Sequence, residues 1–83
     1  MSNFKEQGNE AFKNKDYKKA IECYTQALAE AGNDHTILGN RSAAHYQLRE
    51  YEEALNDADQ CINIKPDWSK GYQRKAMALQ ATN

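Results

Sequence analysis

The chain lacks any apolar run near the length of a bilayer crossing, and Met1-Ser2-Asn3-Phe4-Lys5-Glu6 has no apolar segment of the kind a secretory leader carries. A soluble, cytoplasmic protein with no membrane contact is the expectation. Cysteine is scarce: Cys23 and Cys61 form no CxxC pair and have no histidine at ligand spacing, so neither a zinc site nor a disulfide scaffold is suggested. Both thiols are expected to be reduced. Excess charge of either sign is also missing, since the net charge is −1, which argues against a general nucleic-acid binder and a polybasic membrane surface. Any cationic site must be local. No serine, cysteine or carboxylate has an evident base at the spacing of a triad or acid pair, so no enzyme activity, cofactor or metal is expected.

What the chain does have is helical periodicity. Its 83 residues suit one small domain, residues 1–83, with a modest core. Phe4, Gly8, Ala11 and Phe12 mark a first helix that stops at Lys15-Asp16. With Asp16 as N-cap, a second helix carries Tyr17, Ala20, Ile21, Tyr24, Ala27 and Leu28 on one face, and Gly32-Asn33 ends it. After Asp34 the stripe resumes with Ile37, Leu38, Ser42, His45 and Tyr46. Tyr51, Ala54, Leu55, Ala58, Cys61 and Ile62 then repeat the second helix. Pro66 marks a stop and Asp67 the next cap.

Sliding residues 1–34 onto 35–68 pairs Phe4 with Leu38, Gly8 with Ser42, Phe12 with Tyr46, Tyr17 with Tyr51, Ala20 with Ala54 and Ala27 with Cys61. Side-chain size is kept. Short residues at Gly8/Ser42 and Ala20/Ala54 let two antiparallel helices approach to roughly 8–10 Å. A third copy begins at Ser69, with Tyr72, Ala76 and Leu79 in the places of Phe4, Gly8 and Ala11. The fold class is therefore all-α: helix-turn-helix repeats at 1–34 and 35–68 and the first helix of a third at 69–83, five helices in all. In such a stack the first helices line a concave groove. With no sixth helix, Tyr72, Ala76 and Leu79 leave an apolar face uncovered, through which self-association is expected.

Positions 2, 5, 6 and 9 of each unit form a second stripe that faces the groove: Ser2, Lys5, Glu6, Asn9; Thr36, Gly39, Asn40, Ala43; Lys70, Gln73, Arg74, Met77. Lys70 and Arg74 stand four apart on one helical face, Lys5 and Asn9 repeat that step, and Asn40 precedes Arg74 by one full unit. Three cations and two amides converge, with Gly39 and Ala43 leaving space between them. Lysine offers a point charge, arginine a planar fork matched to a carboxylate, and asparagine a donor without added repulsion. The set suits an extended ligand with more than one carboxylate. Glu6 is the local objection, as a partner that would occupy a groove lysine.

A helix-turn-helix of this period resembles the tetratricopeptide repeat. The match covers essentially the whole chain and implies a right-handed superhelical stack. Position seven of each unit departs from the pattern, with Gln7, Arg41 or Lys75 where the family has apolar residues, and Gly32 replaces a usual proline. Lys5, Asn9, Asn40, Lys70 and Arg74 stand at the five positions of the dicarboxylate clamp of chaperone-binding members. The wording from Lys65 to Ala76 is most similar to the first such domain of the Hop/stress-inducible class of organising cochaperones. That resemblance implies a cochaperone adaptor that holds the C-terminal Glu-Glu-Val-Asp tail of cytosolic heat-shock chaperones, the seventy-kilodalton class ahead of the ninety. Lys5, Asn9 and Asn40 would take the main-chain carboxylate, Lys70 and Arg74 the acidic side chains, with Ala43 and Gln47 touching the peptide further upstream. Such relatives usually carry further domains, so the chain is expected to be an excerpt.

The remaining features read more plainly. Lys13, Lys15, Lys18 and Lys19 are a solvated edge interrupted by Asp16 and Glu22, not a nucleic-acid patch. His35 is expected in a loop and His45 in packing, and the tyrosines follow the core periodicity. The alternative function is a structural interaction scaffold whose groove is unused. Its convex face, with Glu52, Glu53, Asp57 and Asp59, would hold a basic protein.

Overall fold

The computed structural model describes residues 3–82, which form five helices: α1 (Phe4–Lys13), α2 (Tyr17–Ala31), α3 (His35–Gln47), α4 (Tyr51–Ile64) and α5 (Ser69–Thr82). The caps explain where three of them start. Asn3 Oδ1 accepts from Glu6 N–H, Asp16 Oδ1 from Lys19 N–H, and Asp34 Oδ1 from the N–H groups of Thr36 and Ile37. Each satisfies donors that the first helical turn leaves open. Asp67, by contrast, does not cap α5. It lies two residues ahead of Ser69 and its carboxylate sits 3.7 Å from Lys65 Nζ, because the turn after Pro66 carries the chain on through Trp68 before the helix begins.

The repeat is written most sharply in its turns. Lys15 and Arg49, at the same position of successive units, both take φ 63°. Lys15 N–H donates to Phe12 O and Asp16 N–H to Ala11 O, and Arg49 and Glu50 make the corresponding bonds to Tyr46 O and His45 O. Two different sequences thus close the same reversal.

Each helix packs on its neighbour in the chain, and α3 also touches both α1 and α5, whereas α2 and α4 make no contact with each other among the described residues. First helices therefore lie closer together than second helices, which curves the stack so that α1, α3 and α5 line its inner side. The particle measures 40 × 25 × 16 Å. Its core joins Ala11, Ala20, Tyr24, Ala27, Ile37 and Ala44, flanked by Phe4, Phe12, Tyr17, Ile21 and Leu28. Close approach is enforced at Gly8, where a Cβ would fall 2.6 Å from the Tyr24 ring. At the matching place Ser42 is buried and donates its hydroxyl to Ala54 O at 2.7 Å.

Arg41 and Lys75, which break the apolar pattern, are matched rather than strained. Arg41 grips Asp57 through Nε and Nη2, both at 2.7 Å, and Lys75 Nζ lies 3.0 Å from Asp59 Oδ1. Asp57 is consequently only 3% exposed, so it is a core partner and not a member of an acidic convex face. His45 is likewise more than packing, since Nδ1 lies 2.8 Å from Glu50 Oε1 and Nε2 3.7 Å from Asp57 Oδ2. His35 opens α3 instead of sitting in a loop, and meets Trp68 edge to face at 4.9 Å. The stripe on α5 is open as expected: Tyr72 and Leu79 are 49% and 41% exposed, and Ala76 is exposed with them. Both cysteines are free and buried.

Candidate functional site

The inner helices bring Asn9 of α1, Asn40 of α3 and Arg74 of α5 around one cavity of about 240 Å³, with Phe12, Tyr24 and Ala43 completing its wall. Asn40 Nδ2 donates to Asn9 Oδ1 at 3.2 Å, so two of the five expected clamp residues are in direct contact. Tyr24 OH reaches in from the outer helix and donates to the same oxygen at 2.7 Å. With Asn9 Oδ1 doubly occupied, the Asn9 Nδ2 donors are the atoms left for a ligand. Arg74 is anchored by its Nε, which donates to Gly39 O at 3.2 Å, and the two Nη groups extend beyond that anchor. The site therefore offers hydrogen-bond donors from two amides and one guanidinium, a set suited to a carboxylate.

Lys5 and Lys70 lie on the same helices, one turn before Asn9 and Arg74, but neither lines the cavity. Lys5 Nζ is 3.9 Å from Asp34 Oδ2, with the Lys5 side chain 43% exposed. An exposed ion pair of this length is worth about 0–1 kcal/mol, so it does not fix the ammonium in place. Glu6 does not hold Lys5. It is exposed on α1, and the carboxylate beside Lys5 is that of Asp34. Burial alone would raise the Asp34 pKa, but the hydroxyl and N–H of Thr36, the N–H of Ile37 and the Lys5 charge outweigh it and hold the carboxyl below its usual value. Thr36, expected on the groove stripe, spends its hydroxyl on that cap at 2.6 Å. Ser2 lies outside the described residues.

Gly39 does not leave open space. A Cβ there would fall 2.7 Å from Trp68 Cζ3, so the room created by the missing side chain is filled by the indole that leads into α5. Ala43 does line the groove. Together with Phe12, Ser42, Tyr46, Gln47, Arg74 and Met77 it walls a second cavity of about 210 Å³. The two cavities share Phe12, Ala43 and Arg74 and so run on from one another. One is lined with polar donors and the other is walled by Phe12, Tyr46 and Met77. Gln47 stands on the second wall.

A roomier hollow lies elsewhere, about 450 Å³ against α4, lined by Glu52, Glu53, Leu55, Asn56 and Asp59. All five come from a single helix, so it is a dent in a surface and no second element converges on it. Among the described residues no cluster of three or more His, Cys, Asp or Glu is placed to hold a metal, and no helix is long and apolar enough to cross a membrane. In the sequence Phe12, Tyr24 and Tyr46 are legible only as core. Their second role follows from where the inner helices converge, which single-helix periodicity does not show.

A curved stack of helical hairpins whose inner face carries a donor-lined cavity and an apolar annex defines a helical repeat domain. Residues 1–81 match the family described as serine/threonine-protein kinase BSK1-like, TPR repeats, and the chain belongs to that tetratricopeptide-repeat family. It is 49% identical over 76 residues to Protein STIP1 homolog of Dictyostelium discoideum, covering 92% of this chain and 14% of that protein. It is also 49% identical over 77 residues to Heat shock protein STI1 of Saccharomyces cerevisiae, covering 90% of this chain and 13% of that one. The chain thus spans about one-seventh of these relatives. Among solved structures, the second TPR domain of human RPAP3 in complex with HSP70 peptide SGPTIEEVD superposes with TM-score 0.90 at 35% identity, over 95% of this chain and 66% of that one. The first TPR of Spaghetti (RPAP3) bound to HSP90 peptide SRMEEVD gives TM-score 0.94 at 29% identity, over 96% and 64%. The all-α repeat fold expected from the sequence is the fold these proteins share.

Proposed function

We propose that this domain is a non-enzymatic cochaperone adaptor that binds the C-terminal Glu-Glu-Val-Asp tail of cytosolic heat-shock chaperones through Lys5, Asn9, Asn40, Lys70 and Arg74. Units at 1–34, 35–68 and 69–83 supply the three inner helices. The observation that carries the reading is the meeting of Asn9, Asn40 and Arg74 at one cavity, each from the first helix of a different unit. The likeness to domains solved with HSP70 and HSP90 peptides ending in EEVD supports it.

In this reading the two amides and the guanidinium take the terminal carboxylates inside the cavity. Lys5, released from Asp34, and Lys70 close over them from the rim. Charge-assisted hydrogen bonds contribute about 1.5–3 kcal/mol each before ordering costs, so four or five hold a short peptide weakly and exchangeably. The annex walled by Phe12, Tyr46 and Met77 takes an apolar side chain upstream. The HSP70 peptide places isoleucine before EEVD and the HSP90 peptide methionine. A β-branched side chain loses less rotamer freedom on entering a fixed pocket, which favours the seventy-kilodalton class.

Calorimetric titration tests the reading. A peptide ending in EEVD with a free C-terminus binds, and the same peptide amidated loses at least tenfold in affinity. Arg74→Ala removes binding and Asn9→Ala weakens it at least tenfold, to a level still measurable, while circular dichroism stays helical. Equal binding of free and amidated peptide overturns the clamp.

A further inference from the structure

Within the groove the two full units differ in one linked way. Asn9 and Tyr24 of the first unit correspond to Ala43 and Ala58 of the second. Where the amide is present the phenol is present, and where one is replaced by alanine so is the other. Tyr24 is 1% exposed, its ring pressed onto Gly8, and its hydroxyl bonds Asn9 alone among the described residues. A buried hydroxyl proton needs an acceptor. Only the oxygen of the Asn9 amide provides one, so the opposite rotamer, with nitrogen inward, would strand that proton.

We propose that Tyr24 is a positioning residue: by donating to Asn9 Oδ1 it locks the Asn9 amide with Nδ2 toward the groove, setting the site to accept a deprotonated carboxylate. This rests on the clamp reading and deepens it, because the locked amide selects the chemical form of the ligand's terminus. Burial pushes the Tyr24 phenol up to about 12, so the donor keeps its proton at physiological pH. Without the hydroxyl the amide is free to turn, and the carbonyl it then presents repels a carboxylate while tolerating an N–H. The Asn40 bond alone does not prevent this, because the Asn40 amide, itself able to turn, offers a donor or an acceptor with equal ease.

The test is a double-mutant cycle in the intact domain, read with EEVD peptide in free and amidated forms. Tyr24→Phe is expected to weaken the free peptide about tenfold and to leave the amidated one nearly unchanged, shrinking the discrimination between them. In the Asn9→Ala background the same change has no further effect. In spectra of the unliganded protein, Tyr24→Phe brings contacts between the Asn9 Nδ2 protons and the ring at position 24 that the wild type lacks. This readout requires neither peptide nor full stability. Unchanged affinity in Tyr24→Phe, or an equal loss in the Asn9→Ala background, overturns the lock while the clamp stands. A wild type that fails to separate free from amidated peptide overturns both.

Discussion

Arg41 and Asp57 form a two-pronged ion pair between α3 and α4, with Nε and Nη2 each 2.7 Å from a carboxylate oxygen. Arg41 Nη1 donates further to Thr25 Oγ1 on α2 at 3.1 Å, so one guanidinium ties three helices. The side chains are 19% and 5% exposed. Removing one partner of a buried pair costs about 3–5 kcal/mol, and the partial exposure of Arg41 places Asp57→Ala near the lower end, at about 3 kcal/mol. Urea unfolding followed by helicity reads the loss directly. Arg41→Met with Asp57→Leu together recovers most of it, since an apolar pair of similar volume leaves no stranded charge.

The paired turns give a stabilising change. Lys15 and Arg49 hold φ 63°, where a Cβ crowds the neighbouring carbonyl. Glycine removes the clash, although it adds freedom to the unfolded chain. Arg49→Gly is therefore expected to stabilise the domain by about 0.5–1 kcal/mol, and Lys15→Gly by a similar amount. The two turns bond different residues, Lys15 to Phe12 and Arg49 to Tyr46, so the effects are expected to add. A shift of the urea midpoint to higher concentration with unchanged slope is the expected result.

The turn repeat shows what is legible in the sequence. The five helices and the small residues at Gly8, Ser42, Ala20 and Ala54 follow from local spacing and the structure keeps them, although His35 opens α3 and α5 starts two residues beyond Asp67. Position seven looks like a defect when Arg41 is viewed along its own helix. Its partner Asp57 sits on the next helix, where the same one-helix view makes it a surface acid. Each charge is out of place alone, and together they predict one another. Gly39 misleads for the same reason: its emptiness belongs to Trp68, which periodicity within α3 cannot show. Among the residues proposed for the clamp, Asn9 and Asn40 are set by the helices that carry them. The Lys5 head lies beside Asp34 because a long flexible side chain takes its place from nearby charge, not from its register.

Gly39 links packing to the groove. A methyl group at this position would meet the Trp68 ring at 2.7 Å, and Trp68 immediately precedes the helix that carries Lys70 and Arg74. Gly39→Ala gains about 1 kcal/mol of helix propensity but forces the indole aside, an overpacking cost of about 1–3 kcal/mol. The expected net effect is a loss of up to about 2 kcal/mol in stability. Because Arg74 Nε is anchored on Gly39 O, the same change is expected to weaken the proposed binding of an EEVD peptide more than its stability cost explains. Calorimetry well below the unfolding temperature separates the two. Gly32→Ala serves as the contrasting control, since it strains the backbone at φ 77° with no atom near its Cβ and leaves affinity intact.

Tyr24 also sets an alkaline limit on stability. In the unfolded chain the phenol loses its proton near 10.0, whereas burial, with a smaller contribution from Cys23, holds the folded form protonated up to about 12. Between those values the folded state binds more protons than the unfolded one, so stability falls as pH rises. The contribution is complete below pH 10 and lost progressively from about 10 to 12. It amounts to about 2–3 kcal/mol, at roughly 1.36 kcal/mol for each pH unit that separates the folded and unfolded values. Other groups also change charge in alkaline solution, so the wild-type curve alone does not isolate it. Urea midpoints measured in parallel for wild type and Tyr24→Phe do. The variant is less stable at pH 8, where it lacks one partly buried hydrogen bond, and the gap between the two closes and then reverses as pH climbs toward 12. Parallel curves across that range would mean that the buried phenol does not hold its proton.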